Sequence, residues 1–244
     1  MELQLLPQPD DEDRRLGKIL TTQLSEKKWT HFYAAIAFIK KSGVKHLHNE
    51  LKDFANTKTV RITSGIDLAG TSIEGLQQLM NALNGFGDVW IFHNENGSTF
   101  HPKVYLFFNA NEAILIIGSG NLTQGGIFTN YEASMAISLN LELEEEKRVF
   151  DDVKQTLDSW SINGGDCSQL LNDELLKELI DNGYIFPESM MSTRIAAVKA
   201  KTTSGTHGRE KRKIFTSRKV PTAPSAKEHH IDLPDGVKME GYAV

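Results

Sequence analysis

A chain of 244 residues with 39% hydrophobic residues is long enough for one large domain, or for one domain with an appendage, and it holds no apolar run near the ~18 residues that a membrane-spanning helix needs. Its one cysteine, Cys167, excludes an intrachain disulfide and predicts a reducing, cytoplasmic setting, in keeping with an opening Met1-Glu2-Leu3-Gln4 that has neither the basic nor the apolar part of a secretory signal. The formal net charge of -5 excludes a uniformly basic protein, yet the charge is segregated: residues 194–219 carry nine Lys and Arg against Glu210, or +8, which leaves -13 for the rest of the chain.

Leu16, Ile19, Leu20 and Leu24 recur at helical spacing and predict an amphipathic helix over residues 13–26, with the acidic lead-in of residues 10–13 suiting its amino terminus. Residues 32–39 read as a strongly apolar strand. A helix over 42–55 follows, with Val44, Leu47, Leu51 and Phe54 inward, then a strand over 59–63, a turn at Gly65, a helix over 72–83 and a strand over 88–93. The alternation predicts an α/β fold with a largely parallel mixed sheet. Asn96-Gly97 favours a tight reversal that leads into an aromatic strand over 100–108, followed by strands over 113–117 and 133–139. Residues 142–160 and 170–180 read as helices that cover the sheet, with Trp160 in the core. His31, His46 and His48 read as structural or solvated.

Two segments carry chemistry. In His101-Pro102-Lys103 the imidazole and the ammonium lie two residues apart, so on a strand they share a face. In Gly118-Ser119-Gly120-Asn121 the glycines free the backbone for a turn at a strand's end, the edge where open α/β sheets bind ligands. An imidazole can attack phosphorus when neutral and donate a proton when charged. Lys103, Ser119 and Asn121 supply donors for charge that accumulates on phosphoryl oxygens. This inventory calls for neither a metal nor a cofactor, and the sequence has no paired-Cys or H-E-x-x-H ligand pattern. Phosphodiester chemistry is the leading reading.

The two segments resemble the signature of the phospholipase D superfamily, a His-x-Lys strand followed by a Gly-Ser-x-Asn turn. The match consists of His101, Lys103, Gly118, Ser119 and Asn121. That signature also carries an Asp five residues after the Lys, where this chain has Phe108. The candidate replacement carboxylate is Glu132, in Asn130-Tyr131-Glu132-Ala133, which is similar in placement to the glutamate of the superfamily's metal-independent restriction endonucleases. The resemblance spans roughly residues 10–185 and implies a phospholipase D-like three-layer α-β-α sandwich. It also implies that the Glu132 carboxylate accepts a hydrogen bond from the distal imidazole nitrogen and fixes its tautomer.

A single copy of the motif is half a site, and single-motif members of the superfamily pool two halves about a two-fold axis, so a homodimer with a shared active site is expected. The implied activity is metal-independent hydrolysis of double-stranded DNA through a phosphohistidine, as a restriction-endonuclease catalytic subunit or domain with room for a further restriction-complex subunit. A nonspecific nuclease, a lipid phosphodiesterase and a non-catalytic DNA-binding module remain as alternatives; the lack of an amphipathic membrane-binding segment ranks lipid low. Residues 1–193 are expected to form the nuclease domain. Residues 194–244 are expected to form a basic linker or tail, with Pro221 to Pro224 as a linker, compatible with DNA and with a recognition domain in a longer natural chain.

Overall fold

Apolar residues on both faces of a strand need cover on both sides, and the run from His31 to Ile36 (β2) is buried from Phe32 onward. The computed structural model of the protein, which describes residues 1–190 and 221–231, places this strand in the middle of an eight-stranded sheet. In chain order the elements are β1 (Glu2–Gln8), α1 (Leu16–Ser25), β2, α2 (Lys41–Val44), α3 (His48–Ala55), β3 (Thr59–Gly65), α4 (Ile73–Leu83), β4 (Asp88–Phe92), β5 (Lys103–Phe108), β6 (Glu112–Gly118), β7 (Glu132–Asn140), α5 (Glu144–Ser159), β8 (Ser168–Leu170) and α6 (Asp173–Asp181). The strands lie in the order β1-β7-β6-β5-β2-β3-β4-β8.

The sheet is mixed, but the expectation that it is largely parallel is wrong. Only β2-β3 and β3-β4 pair in parallel, while the other neighbouring strands are antiparallel. Parallel pairing needs a crossover of a dozen or more residues, usually a helix. The chain supplies helices between β2, β3 and β4 but none between β4 and α5 beyond a short π-helical turn, so β5, β6 and β7 fold as an antiparallel meander.

Two apolar clusters lie on the two faces of the sheet. One joins Phe32, Ala34, Ile36, Tyr105, Phe107 and Ile116 to Leu20 of α1, Leu51 and Phe54 of α3 and Leu76 and Leu79 of α4. The other joins Tyr33, Leu106, Phe108 and Leu115 to Phe150 and Leu157 of α5, with Trp160 packed edge-on against Phe100 at 5.4 Å. This is the expected three-layer α-β-α arrangement. Local signals fix the helix ends: the Ser72 hydroxyl accepts from the Gly75 amide at 3.0 Å, Asn172 Oδ1 accepts from the Leu175 amide at 2.8 Å, and Glu144, Glu145 and Glu146 occupy the first turn of α5.

The helix expected over 42–55 is two helices. The Lys40 amide bonds to Leu122 O at 3.0 Å and Gly43 sits so close to the Leu122 backbone that a Cβ there would lie 2.4 Å from it. Between the two helices the His46 and Leu47 amides bond three residues back, to Gly43 O at 3.1 Å and Val44 O at 2.9 Å, while Val44, Leu47, Leu51 and Phe54 all stay buried. The three discounted histidines are structural: His31 stacks on Phe108 at 4.4 Å, His46 meets Phe128 edge-on and His48 stacks on His229 at 3.6 Å.

Residues 221–231, expected as linker and tail, lie along the outside of the helical layer. Thr222 O accepts from Arg15, Glu228 pairs with Lys41 and Lys45 at 3.1 and 2.8 Å, and His230 O accepts from Asn81 at 3.4 Å. The basic span 194–219 falls outside the described residues. No helix among the described residues is long and apolar enough to cross a membrane.

Candidate active site

β2, β3 and β4 end, β6 ends, and β5 and β7 begin at one edge of the sheet. That edge gathers every predicted site residue. His101 precedes β5 rather than lying within it, so its direction is set by local contacts instead of strand alternation. Pro102 O accepts from the Ala37 amide at 2.8 Å, and the ring stands edge-on to Phe38, with centroids 5.3 Å apart.

Lys103, 7% exposed, places its Nζ 2.7 and 3.0 Å from Nδ1 and Nε2 of His101 and donates to His101 O at 2.9 Å. Near-equal approach to both ring nitrogens puts the ammonium over the ring rather than along either in-plane lone pair. Partial loss of hydration, and then this ammonium, lower the His101 pKa below its ordinary value, which favours the neutral, nucleophilic ring. Burial also lowers the pKa of Lys103, against the opposing pull of Glu132.

The Gly-Ser-Gly-Asn turn forms as predicted, for a different reason. Neither Gly118 nor Gly120 has positive φ. They are needed for close approach: a Cβ on Gly118 would lie 2.1 Å from Ser134 Oγ, and one on Gly120 2.5 Å from Leu16 Cδ2. Asn121 Oδ1 accepts from the Phe38 amide at 3.1 Å, which leaves Nδ2 as the donor that can meet a ligand.

Ser119 departs from its expected role. Its hydroxyl donates to Glu132 Oε2 and accepts from the Ala133 amide at 3.1 Å, so its proton is committed to a carboxylate instead of offered to a phosphate. Glu132 in turn is held by Ser119 and by Asn130 Nδ2 at 3.2 Å, not by the His101 imidazole, correcting the expected imidazole contact. Its carboxylate sits close enough to raise the cost of deprotonating both Lys103 and the buried Tyr105 hydroxyl.

The Phe108 departure is also explained. Position 108 lies at the far end of β5, buried against His31 and Phe150, roughly 16 Å along the strand from Lys103 at ~3.3 Å per residue. A carboxylate at 108 would not reach this edge, so Glu132 replaces nothing there.

Sequence reasoning missed three contributors. Tyr105 donates to Gly120 O at 3.0 Å and ties β5 to the turn; as the next same-face residue after Lys103 it was within reach of the strand period. Asn130 ends the π-helical turn Gly125–Thr129, a local geometry often found at functional sites, and Phe38 follows β2; neither had a signal in the sequence. Beside Asn121 and Asn130 opens a cleft of about 400 Å³, walled by Phe38, Lys40, Leu68 and Gly70.

The overall architecture is similar to that of the phospholipase D family member Nuc of Salmonella typhimurium, with 16% identity, a TM-score of 0.50, and coverage of 70% of this chain and 98% of that one. The chain has the phospholipase D fold. Phosphatidylserine synthase of Haemophilus influenzae is similar over 82% of this chain and 46% of its own, with 11% identity and a TM-score of 0.51. No protein-family model matches the sequence, and no curated protein matches it.

Proposed function

We propose that the protein is a metal-independent phosphodiesterase that cleaves DNA through a phosphohistidine, as the catalytic part of a restriction endonuclease. The observation that carries this reading is the His101 ring beneath the Lys103 ammonium, at the sheet edge that also presents Asn121 and Glu132. Neutral His101 attacks phosphorus, forming a P–N bond as the P–O bond to the leaving oxygen breaks. A protonated His101 from a second copy gives its proton to that oxygen, then takes one from the water that displaces the phosphohistidine. Lys103 and Asn121 Nδ2 stabilise the equatorial oxygens. Ser119 and Asn130 orient Glu132, whose charge favours the protonated form of Lys103 against the effect of burial.

Cleavage of duplex DNA in excess EDTA, with wild-type and His101→Ala proteins side by side, tests the reading. Wild-type activity should persist in EDTA, and His101→Ala should lose at least about 10⁴-fold, the scale of removing a covalent nucleophile. Activity lost with the metal, activity retained by His101→Ala, or hydrolysis of phosphatidylcholine vesicles without DNA cleavage would each overturn it.

A further inference from the structure

The loop that delivers His101 leaves β4 at His93 and enters β5 at Lys103, and one carboxylate holds both of its ends. Asp67, whose side chain is 10% exposed, pairs through Oδ1 with His93 Nδ1 at 2.7 Å and accepts through Oδ2 from the Phe100 amide at 2.6 Å. A carboxylate only accepts, so the His93 proton lies on Nδ1. Charge-assisted bonds of this kind are among the stronger hydrogen bonds in proteins. The Phe100 amide is one residue from the His101 backbone, and the Phe100 ring is itself fixed between Phe92 at 4.6 Å and Trp160.

The turn begun by Asp67 reaches the nucleophile by a second route. Leu68 and Ala69 both take positive φ, 55° and 51°, a conformation that is unfavourable for residues with a Cβ and persists where the surroundings impose it. It brings Gly70 onto Phe38 so closely that a Cβ would lie 1.9 Å from ring Cδ1, and Phe38 is the ring edge-on to His101. The turn of residues 67–70 thus braces His101 through the Phe100 backbone on one side and through the Phe38 ring on the other.

We infer that Asp67 is a positioning residue for the reaction: by bridging His93 and Phe100 it fixes the loop ends and so the line of attack of His101. The inference rests on the phosphohistidine reading above. Asp67 touches no reacting atom, and its effect falls on alignment, where a misplacement of ~1 Å can cost ~10²-fold in rate.

Single-turnover and steady-state cleavage by Asp67→Ala, Asp67→Asn and His93→Phe proteins, with His101→Ala as reference, tests it. Asp67→Ala is expected to lose about 10²-fold in kcat with KM within threefold of wild type. Asp67→Asn still offers an oxygen to the Phe100 amide and a hydrogen to a His93 whose proton has moved to Nε2, so it should recover to within tenfold of wild type. His93→Phe, which keeps a ring against Tyr184, should lose about tenfold in kcat alone, and it carries the test if Asp67→Ala does not fold. Folded Asp67→Ala or His93→Phe proteins with kcat within twofold of wild type would overturn the inference, as would losses in KM rather than kcat. If those variants are fully active while His101→Ala is dead, only the role of Asp67 falls; if His101→Ala is active, the phosphohistidine reading falls instead.

Discussion

His101 and Lys103 divide the labour of one site by opposing charge preferences. Partial loss of hydration, and then the ammonium beside the ring, lower the pKa of the imidazole and so favour its neutral form. With the neutral ring as the proposed nucleophile, the acid limb of the rate–pH profile should lie below the ordinary histidine value of about 6.5. Lys103→Met removes one cause and leaves the other, so the His101 pKa should rise toward that value without passing it. NMR titration of the His101 ring in the two proteins measures this; an unchanged or lower value in Lys103→Met would separate the two side chains electrostatically. Residue identity was enough to single out His101, Lys103, Asn121 and Glu132 as candidates, and the fold brings them to one edge of the sheet. It was not enough to say which proton each would hold, because the commitment of Ser119 to Glu132 depends on β6 and β7 meeting in register at Gly118 and Ser134.

At the level of elements, that register is what the turn glycines protect. Gly118 faces Ser134 across the β6–β7 pair with no space for a methyl group, so Gly118→Ala must push β6 and β7 apart where Ser119 and Glu132 meet. The expected cost is about 1–3 kcal/mol of stability, typical of overpacking, or roughly 2–4 °C in Tm per kcal/mol for a domain of this size. Cleavage should fall further than the Tm shift alone explains; thermal denaturation and a cleavage assay on the same protein would show an intact Tm if the strands can yield. Elements with a long period were legible in the sequence: α1, α4 and α5, and every strand from β2 to β7. Those governed by a distant contact were not. β8 has three residues, too few for a pattern, and β1 contains Pro7, which fits only an edge strand. The start of α2 is held by Leu122, almost eighty positions along the chain. The strand directions were misread because alternation of strands and helices, which ends at β4, was extended over a meander.

Across the whole molecule, α5 leaves part of its sheet face open among the described residues. Cross-strand pairing puts Leu3, Ile137 and Leu115 in one row and Leu5, Met135 and Ile117 in the next. α5 covers the far end of the sheet through Phe150 and Leu157, while Leu3, Leu5 and Ile117 are 58%, 51% and 43% exposed. The open patch runs up to Gly118, at the edge that holds the candidate site, and a contiguous exposed apolar surface marks an interaction site. A second copy is the proposed occupant, because the proposed reaction needs a nucleophile and an acid on opposite sides of phosphorus and each chain brings one His101. Dimerisation through this patch would bring two catalytic edges together about a two-fold axis. Leu3→Asp with Leu5→Asp, on an edge strand away from every reacting group, should therefore yield a folded monomer that has lost cleavage. The wild-type protein should sediment as a dimer and lose specific activity on dilution as the dimer dissociates. Sedimentation and cleavage measured over the same concentration series check both expectations. A wild-type monomer with full specific activity, or a doubly substituted monomer that still cuts, would mean that one chain holds a complete site and that the patch serves another purpose.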